Sequence, residues 1–106
     1  MIAARTKSVD DTRALAAEVA ALARPGDLVL LAGDLGVGEL LDQGGVTLIE
    51  WGDVVAPILP ADFLEVRLEL GEGEEERTLR LRPIGPSWSV RVDALRGALE
   101  RWLVED

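Results

Sequence analysis

The sequence predicts a small α/β domain with a mixed sheet, and three observations carry that prediction. An apolar run, Leu28-Val29-Leu30-Leu31-Ala32, enters a glycine loop, Gly33-Asp34-Leu35-Gly36-Val37-Gly38. A second apolar run, Val46-Thr47-Leu48-Ile49, ends in Glu50-Trp51-Gly52-Asp53. Residues 64–82 then alternate oily and charged side chains around an acidic turn. Short continuous apolar runs suit strands buried on both faces, whereas strict alternation suits an antiparallel hairpin with one wet face.

Residues 2–7 suggest a short edge strand. Ser8-Val9-Asp10-Asp11 then offers side-chain acceptors for the free N–H groups of a helix start, and Leu15, Val19 and Leu22 fall on one face of the helix that follows. Pro25 disfavours helix in the residue before it and Gly26 suits a turn, so the helix is expected to stop near Arg24. Residues 27–32 form the first buried strand. Residues 33–45 connect it to the second apolar run, and the glycine loop takes nearly half of them. A parallel crossover with its helix needs at least about 10 to 12 residues, so one here is barely possible and, if tight, strained.

Residues 53–62, with Pro57 and Pro60, read as a turn of helix and a loop. Leu64, Val66, Leu68 and Leu70 alternate with Glu65, Arg67 and Glu69. After the turn from Gly71 to Glu75, Leu79 and Leu81 alternate with Thr78, Arg80 and Arg82, which completes the hairpin. Trp88, Val92, Leu95, Leu99 and Trp102 recur at helical spacing, so a C-terminal amphipathic helix is expected over residues 88–104. Gly97 inside it costs about 1 kcal/mol relative to alanine.

A chain of 106 residues with 48% hydrophobic and 29% charged side chains fits one globular domain, residues 1–106. Its apolar runs fall far short of the roughly 18 residues of a membrane span, and its N-terminus lacks a signal peptide's apolar block. No membrane association and a cytoplasmic location are the expectations. The net charge of −9 opposes contact with nucleic-acid phosphates unless the positive charges segregate, so no direct nucleic-acid binding is expected. The absence of cysteine and histidine excludes disulfides, thiolate zinc sites, imidazole bases and Ser-His-Asp arrangements. Catalysis in this chain would have to use carboxylates or a bound hard cation.

The glycine loop is the most informative motif. Glycines let backbone N–H groups approach phosphate oxygens, while a complete loop continues with a lysine for the terminal phosphates and a hydroxyl for Mg²⁺. Here Glu39 and Leu40 follow Gly38, and the only lysine of the chain is Lys7. A carboxylate in the lysine's place, about 4 Å from a phosphate oxygen, would repel it by about 4 kcal/mol at an effective dielectric of 20. An ordinary tight turn is the plain alternative for the glycines.

Helix, strand, glycine loop, a strand ending in Glu-Trp-Gly, and a hairpin closing on Pro83-Ile84-Gly85-Pro86 together resemble the TsaE family, the ATPase subunit of bacterial tRNA threonylcarbamoyladenosine synthesis. The matching segments are residues 11–15, 25–38, 46–53 and 64–68. The resemblance implies a three-layer P-loop-NTPase-like domain with a mixed sheet and an antiparallel C-terminal hairpin. It also implies ATP and Mg²⁺ as cofactors and TsaB and TsaD as partners. By the same resemblance Gly33, Asp34, Leu35, Gly36, Val37 and Gly38 would contact phosphates, and Glu50 would serve Mg²⁺ or the attacking water.

The family continues after the loop with Lys-Thr, a helix, a Ser-Pro-Thr-Phe segment and an Asp-x-Tyr-Arg segment, all absent here, so the domain reads as truncated in its central part. That departure admits a second reading, a non-catalytic pseudo-ATPase or partner-binding adaptor. Glu50 could equally be a solvated acid at a strand end, and Trp51 a core residue. For Arg67, Arg80 and Arg82 the expected role is cross-strand charge pairing with Glu65 and Glu69. Trp88 and Trp102 are expected to pack the last helix on the sheet, or to present an oily stripe to another subunit.

Overall fold

The computed structural model describes residues 1–33, 47–51 and 61–104. Its strands are β1 (Ile2–Thr6), β2 (Leu28–Gly33), β3 (Thr47–Trp51), β4 (Phe63–Leu70) and β5 (Arg77–Ile84). They form one mixed sheet in the order β1-β5-β4-β2-β3. The predicted hairpin is the antiparallel pair β4–β5, in which Val66 faces Leu81 and Leu68 faces Leu79. β1 lies antiparallel to β5 at one edge, as residues 2–7 suggested. β2 runs parallel to both β3 and β4, while residues 34–46, on which the expected crossover falls, lie outside the described residues.

Helix α1 (Val9–Leu22) starts as its sequence dictates. The Ser8 hydroxyl accepts the Asp11 N–H at 3.0 Å, and the Asp11 carboxylate reaches back to the Lys7 N–H at 2.9 Å, satisfying two donors that the helix cannot. Thr12, Leu15, Ala16 and Val19 form the buried stripe of α1. The helix ends one turn before Pro25, and Gly26 takes a positive φ of 91° in the turn into β2.

The core lies between the helices and one face of the sheet. Ile2, Ala4, Val29, Leu31, Leu64, Val66, Leu68, Leu79 and Leu81 meet Leu15 and Val19 from α1 and Trp88, Leu95, Leu99 and Trp102 from the C-terminal segment. Each such large apolar side chain stabilises the fold by about 1.5–3 kcal/mol when fully buried. On the opposite face Leu30 and Ala32 are buried as well, so both faces of β2 are covered, as a layered α/β domain requires.

The C-terminal segment departs from the single helix expected over residues 88–104. It consists of α2 (Pro86–Ser89), α3 (Val92–Ala98) and a 3₁₀ turn, Glu100–Trp102. The inward stripe is Trp88, Arg91, Leu95, Leu99 and Trp102, with Arg91 buried where the apolar periodicity placed Val92. Arg91 leaves helical geometry at φ −103° and ψ 6°, and its N–H bonds the Trp88 carbonyl three residues back. The break falls where this guanidinium turns inward to the carboxylate of Asp27. Before α2, Gly85 has a φ of 84°, and a Cβ there would collide with the Ala61 carbonyl oxygen, so the turn requires glycine. No described helix is long and apolar enough to cross a membrane.

Candidate functional site

The candidate site is the sheet edge at which the parallel strands end. In α/β sheets ligands gather outside the carboxyl ends of the strands, where the chain leaves the sheet and backbone N–H groups become free. β2 delivers Gly33 to that edge, and β3 runs beside it with Leu31 opposite Glu50 and Ala32 opposite Trp51. The first glycine of the loop and the Glu-Trp pair, distant in sequence, therefore sit on neighbouring strands about 4.8 Å apart. Asp34, Leu35, Gly36, Val37 and Gly38, together with Glu39, Leu40 and residues 52–60, lie outside the described residues.

β4 borders the same edge on the other side of β2. Arg67 stands opposite Ala32, and Leu68 opposite Gly33. The face of β4 and β5 that carries Arg67 is turned away from α1 and is charged. Two of the predicted cross-strand pairs are present, Arg80 with Glu69 at 3.2 Å and Arg82 with Glu65 at 3.5 Å. Arg67 differs from the expectation: the register sets it directly opposite Arg80, and it forms no ion pair among the described residues. Met1, Glu65, Arg67, Arg80 and Arg82 line a cleft of about 190 Å³ on this face.

At the opposite end of β2 lies a buried ion pair that periodicity did not reveal. Arg91 grips Asp27 through both terminal nitrogens, at 2.6 and 3.0 Å, donates to the Leu22 carbonyl at 3.1 Å and stacks on Trp88 at 4.3 Å. The guanidinium hydrogen bond holds the Asp27 carboxyl below its ordinary range, outweighing burial, which acts in the other direction. Asp11 is also lowered, first by the indole N–H of Trp102 at 2.6 Å and then by the Lys7 N–H. Both arrangements tie α1 and the start of β2 to the C-terminal segment. They are structural clamps, remote from the glycine edge.

The acidic turn after β4 is also partly occupied by structure. Glu75 accepts the Val9 N–H at 3.2 Å, placing an anion at the positive end of α1. Among the described residues no group of three or more acidic side chains is arranged to hold a metal ion.

No protein-family model matches the chain, and no curated protein matches it. Among solved structures the chain is similar to the crystal structure of Bacillus subtilis YdiB. The TM-score is 0.67 with 23% sequence identity, over 95% of this chain and 97% of that one. That likeness shows the fold, a small α/β domain with a mixed sheet.

Proposed function

We propose that this chain is a TsaE-like subunit of the tRNA threonylcarbamoyladenosine modification system, acting through contact with partners of the TsaB and TsaD kind. The observation that carries the reading is the coincidence of two motifs at one sheet edge. Gly33, the first residue of Gly-Asp-Leu-Gly-Val-Gly, ends β2, and Glu50-Trp51 ends the parallel strand beside it. The fold likeness to YdiB supports the same reading at the level of architecture.

The donor set does not fit a complete ATP–Mg²⁺ site. After Gly38 the sequence continues with Glu39 and Leu40, so it supplies neither the lysine nor the metal-binding hydroxyl of a complete loop. Glu50 is the one acid the resemblance assigns to metal or water. We therefore derive no hydrolytic step, and we assign the chain a partner-binding role in which any nucleotide contact falls on Gly33 to Gly38.

Two measurements test this proposal. Immobilised chain is expected to retain TsaB and TsaD, while calorimetric titration with MgATP is expected to show no tight, Mg²⁺-dependent binding. Failure to retain either protein overturns the assignment to this system. ATP turnover abolished by Glu50→Gln would instead restore the full ATPase reading.

A further inference from the structure

We propose that the open face of the β4–β5 hairpin carries a binding site for a phosphate-type oxyanion, with Arg67 at its centre and Arg80 and Arg82 beside it. The first support is the register. Arg67 and Arg80 are directly opposed on an antiparallel pair, and Glu69 neutralises Arg80, which leaves Arg67 as the uncompensated charge of the two among the described residues. Glu65 and Glu69 are each bound to another arginine, Arg82 and Arg80 respectively. Arg67 is exposed and has no acid within ion-pair distance among the described residues.

The second support is shape. These arginines line a cleft of about 190 Å³ together with Met1 and Glu65. That is several times the roughly 30 Å³ share of one water molecule, which leaves room for a tetrahedral oxyanion. The third is charge. Three guanidinium groups share this face with two carboxylates, Glu65 and Glu69, which leaves one positive charge in excess in a chain whose net charge is −9. Arginine forks match the paired oxygens of phosphate, and the Arg67 fork is the one turned to this cleft with no acid on it among the described residues. Arg67 also stands level with Ala32, one residue short of Gly33, so the cleft adjoins the strand that feeds the glycine loop. The inference does not require a nucleotide on that loop.

The experiment is a thermal unfolding series in sodium phosphate, sodium acetate and sodium chloride at one ionic strength and pH, supplemented by calorimetric titration with inorganic phosphate. Phosphate is expected to raise the Tm beyond matched chloride, and acetate to do so weakly. Arg67→Gln is expected to abolish the phosphate-specific rise, to weaken phosphate binding about tenfold or more, and to melt in chloride no lower than the wild type because the opposed charges are gone. Arg5→Gln makes the same charge change on the same sheet face outside the cleft, and is expected to keep the phosphate response. Equal Tm values in phosphate and chloride overturn the proposal. So does an equal loss of response in both variants, which would mark general charge screening, or a lowered Tm of Arg67→Gln in chloride, which would mark a structural arginine.

Discussion

Arg91 and Asp27 pose an energetic question at the scale of single residues. Both side chains are 8% exposed, so the charges have been taken out of water, and their bidentate geometry, the Leu22 carbonyl, the Arg24 N–H on Asp27 and the stack on Trp88 compensate. The Nε of Arg91 and the Nε1 of Trp88 are buried without a hydrogen-bond partner among the described residues, which makes the cluster intolerant of any further loss. Asp27→Asn, which leaves Arg91 charged and half-satisfied, is expected to cost about 3–5 kcal/mol in urea unfolding. Replacing both partners, as in Asp27→Leu with Arg91→Met, is expected to cost much less than twice that, because no orphaned charge remains. The pair also has a pH signature. The native carboxyl titrates below its ordinary value near 3.8, so its stabilisation is full above that value and is lost as pH falls toward the native pKa. Asp27→Asn is expected to flatten the stability profile in that acid window, a change readable by fluorescence-monitored unfolding at a series of pH values.

Among the elements, the C-terminal segment is the one in which local preference and tertiary demand disagree most openly. Gly97 sits in α3 with open space around it and no positive φ, so nothing in the packing asks for glycine. Gly97→Ala is expected to stabilise the domain by about 0.5–1 kcal/mol, read as a higher urea midpoint with an unchanged slope. The same element shows how far the sequence could be read. Alternation in residues 64–82 located the hairpin because a two-residue period places Leu64, Val66, Leu68, Leu79 and Leu81 on one buried face whatever the neighbours do. The apolar spacing also located Trp88, Leu95, Leu99 and Trp102. It passed over Arg91, because a periodicity built on apolar residues cannot register a charge whose partner lies sixty-four positions away. Arg67 departs from the expected cross-strand pairing for a related reason. Which residue stands opposite which is set by strand register, and register is fixed by the turn and the core, not by the local charge pattern. Gly33 and Glu50 were legible as motifs, and the parallel pairing of β2 with β3 supplied what sequence lacked, their common edge.

On the scale of the whole molecule, the two ends of the described chain close on each other. The Val104 N–H bonds the Ala3 carbonyl at 3.0 Å, Ala4 bridges Leu103, and Trp102 donates to Asp11 while Arg101 stacks on its ring at 3.9 Å. The C-terminal turn thus protects the outer edge of β1, which would otherwise offer unpaired backbone groups to another chain, and covers the core beneath α1. A domain of this size has a total stability of about 5–15 kcal/mol, so a single closure of this kind decides whether it stays folded. Trp102→Ala empties a position that is 5% exposed and is expected to cost about 3–5 kcal/mol, which brings the domain close to unfolding at 37 °C. Trp102→Phe keeps most of the apolar contact and loses the indole hydrogen bond, for an expected cost of about 1–2 kcal/mol. It should also return the Asp11 carboxyl toward its ordinary value, since that indole N–H is the main cause of the lowering. Hydrogen exchange distinguishes closure from mere packing. If the C-terminal turn guards β1, then Trp102→Ala accelerates exchange at the backbone amides of β1 more than at those of β2, whereas uniform acceleration across the sheet would show that the tryptophan only adds to global stability.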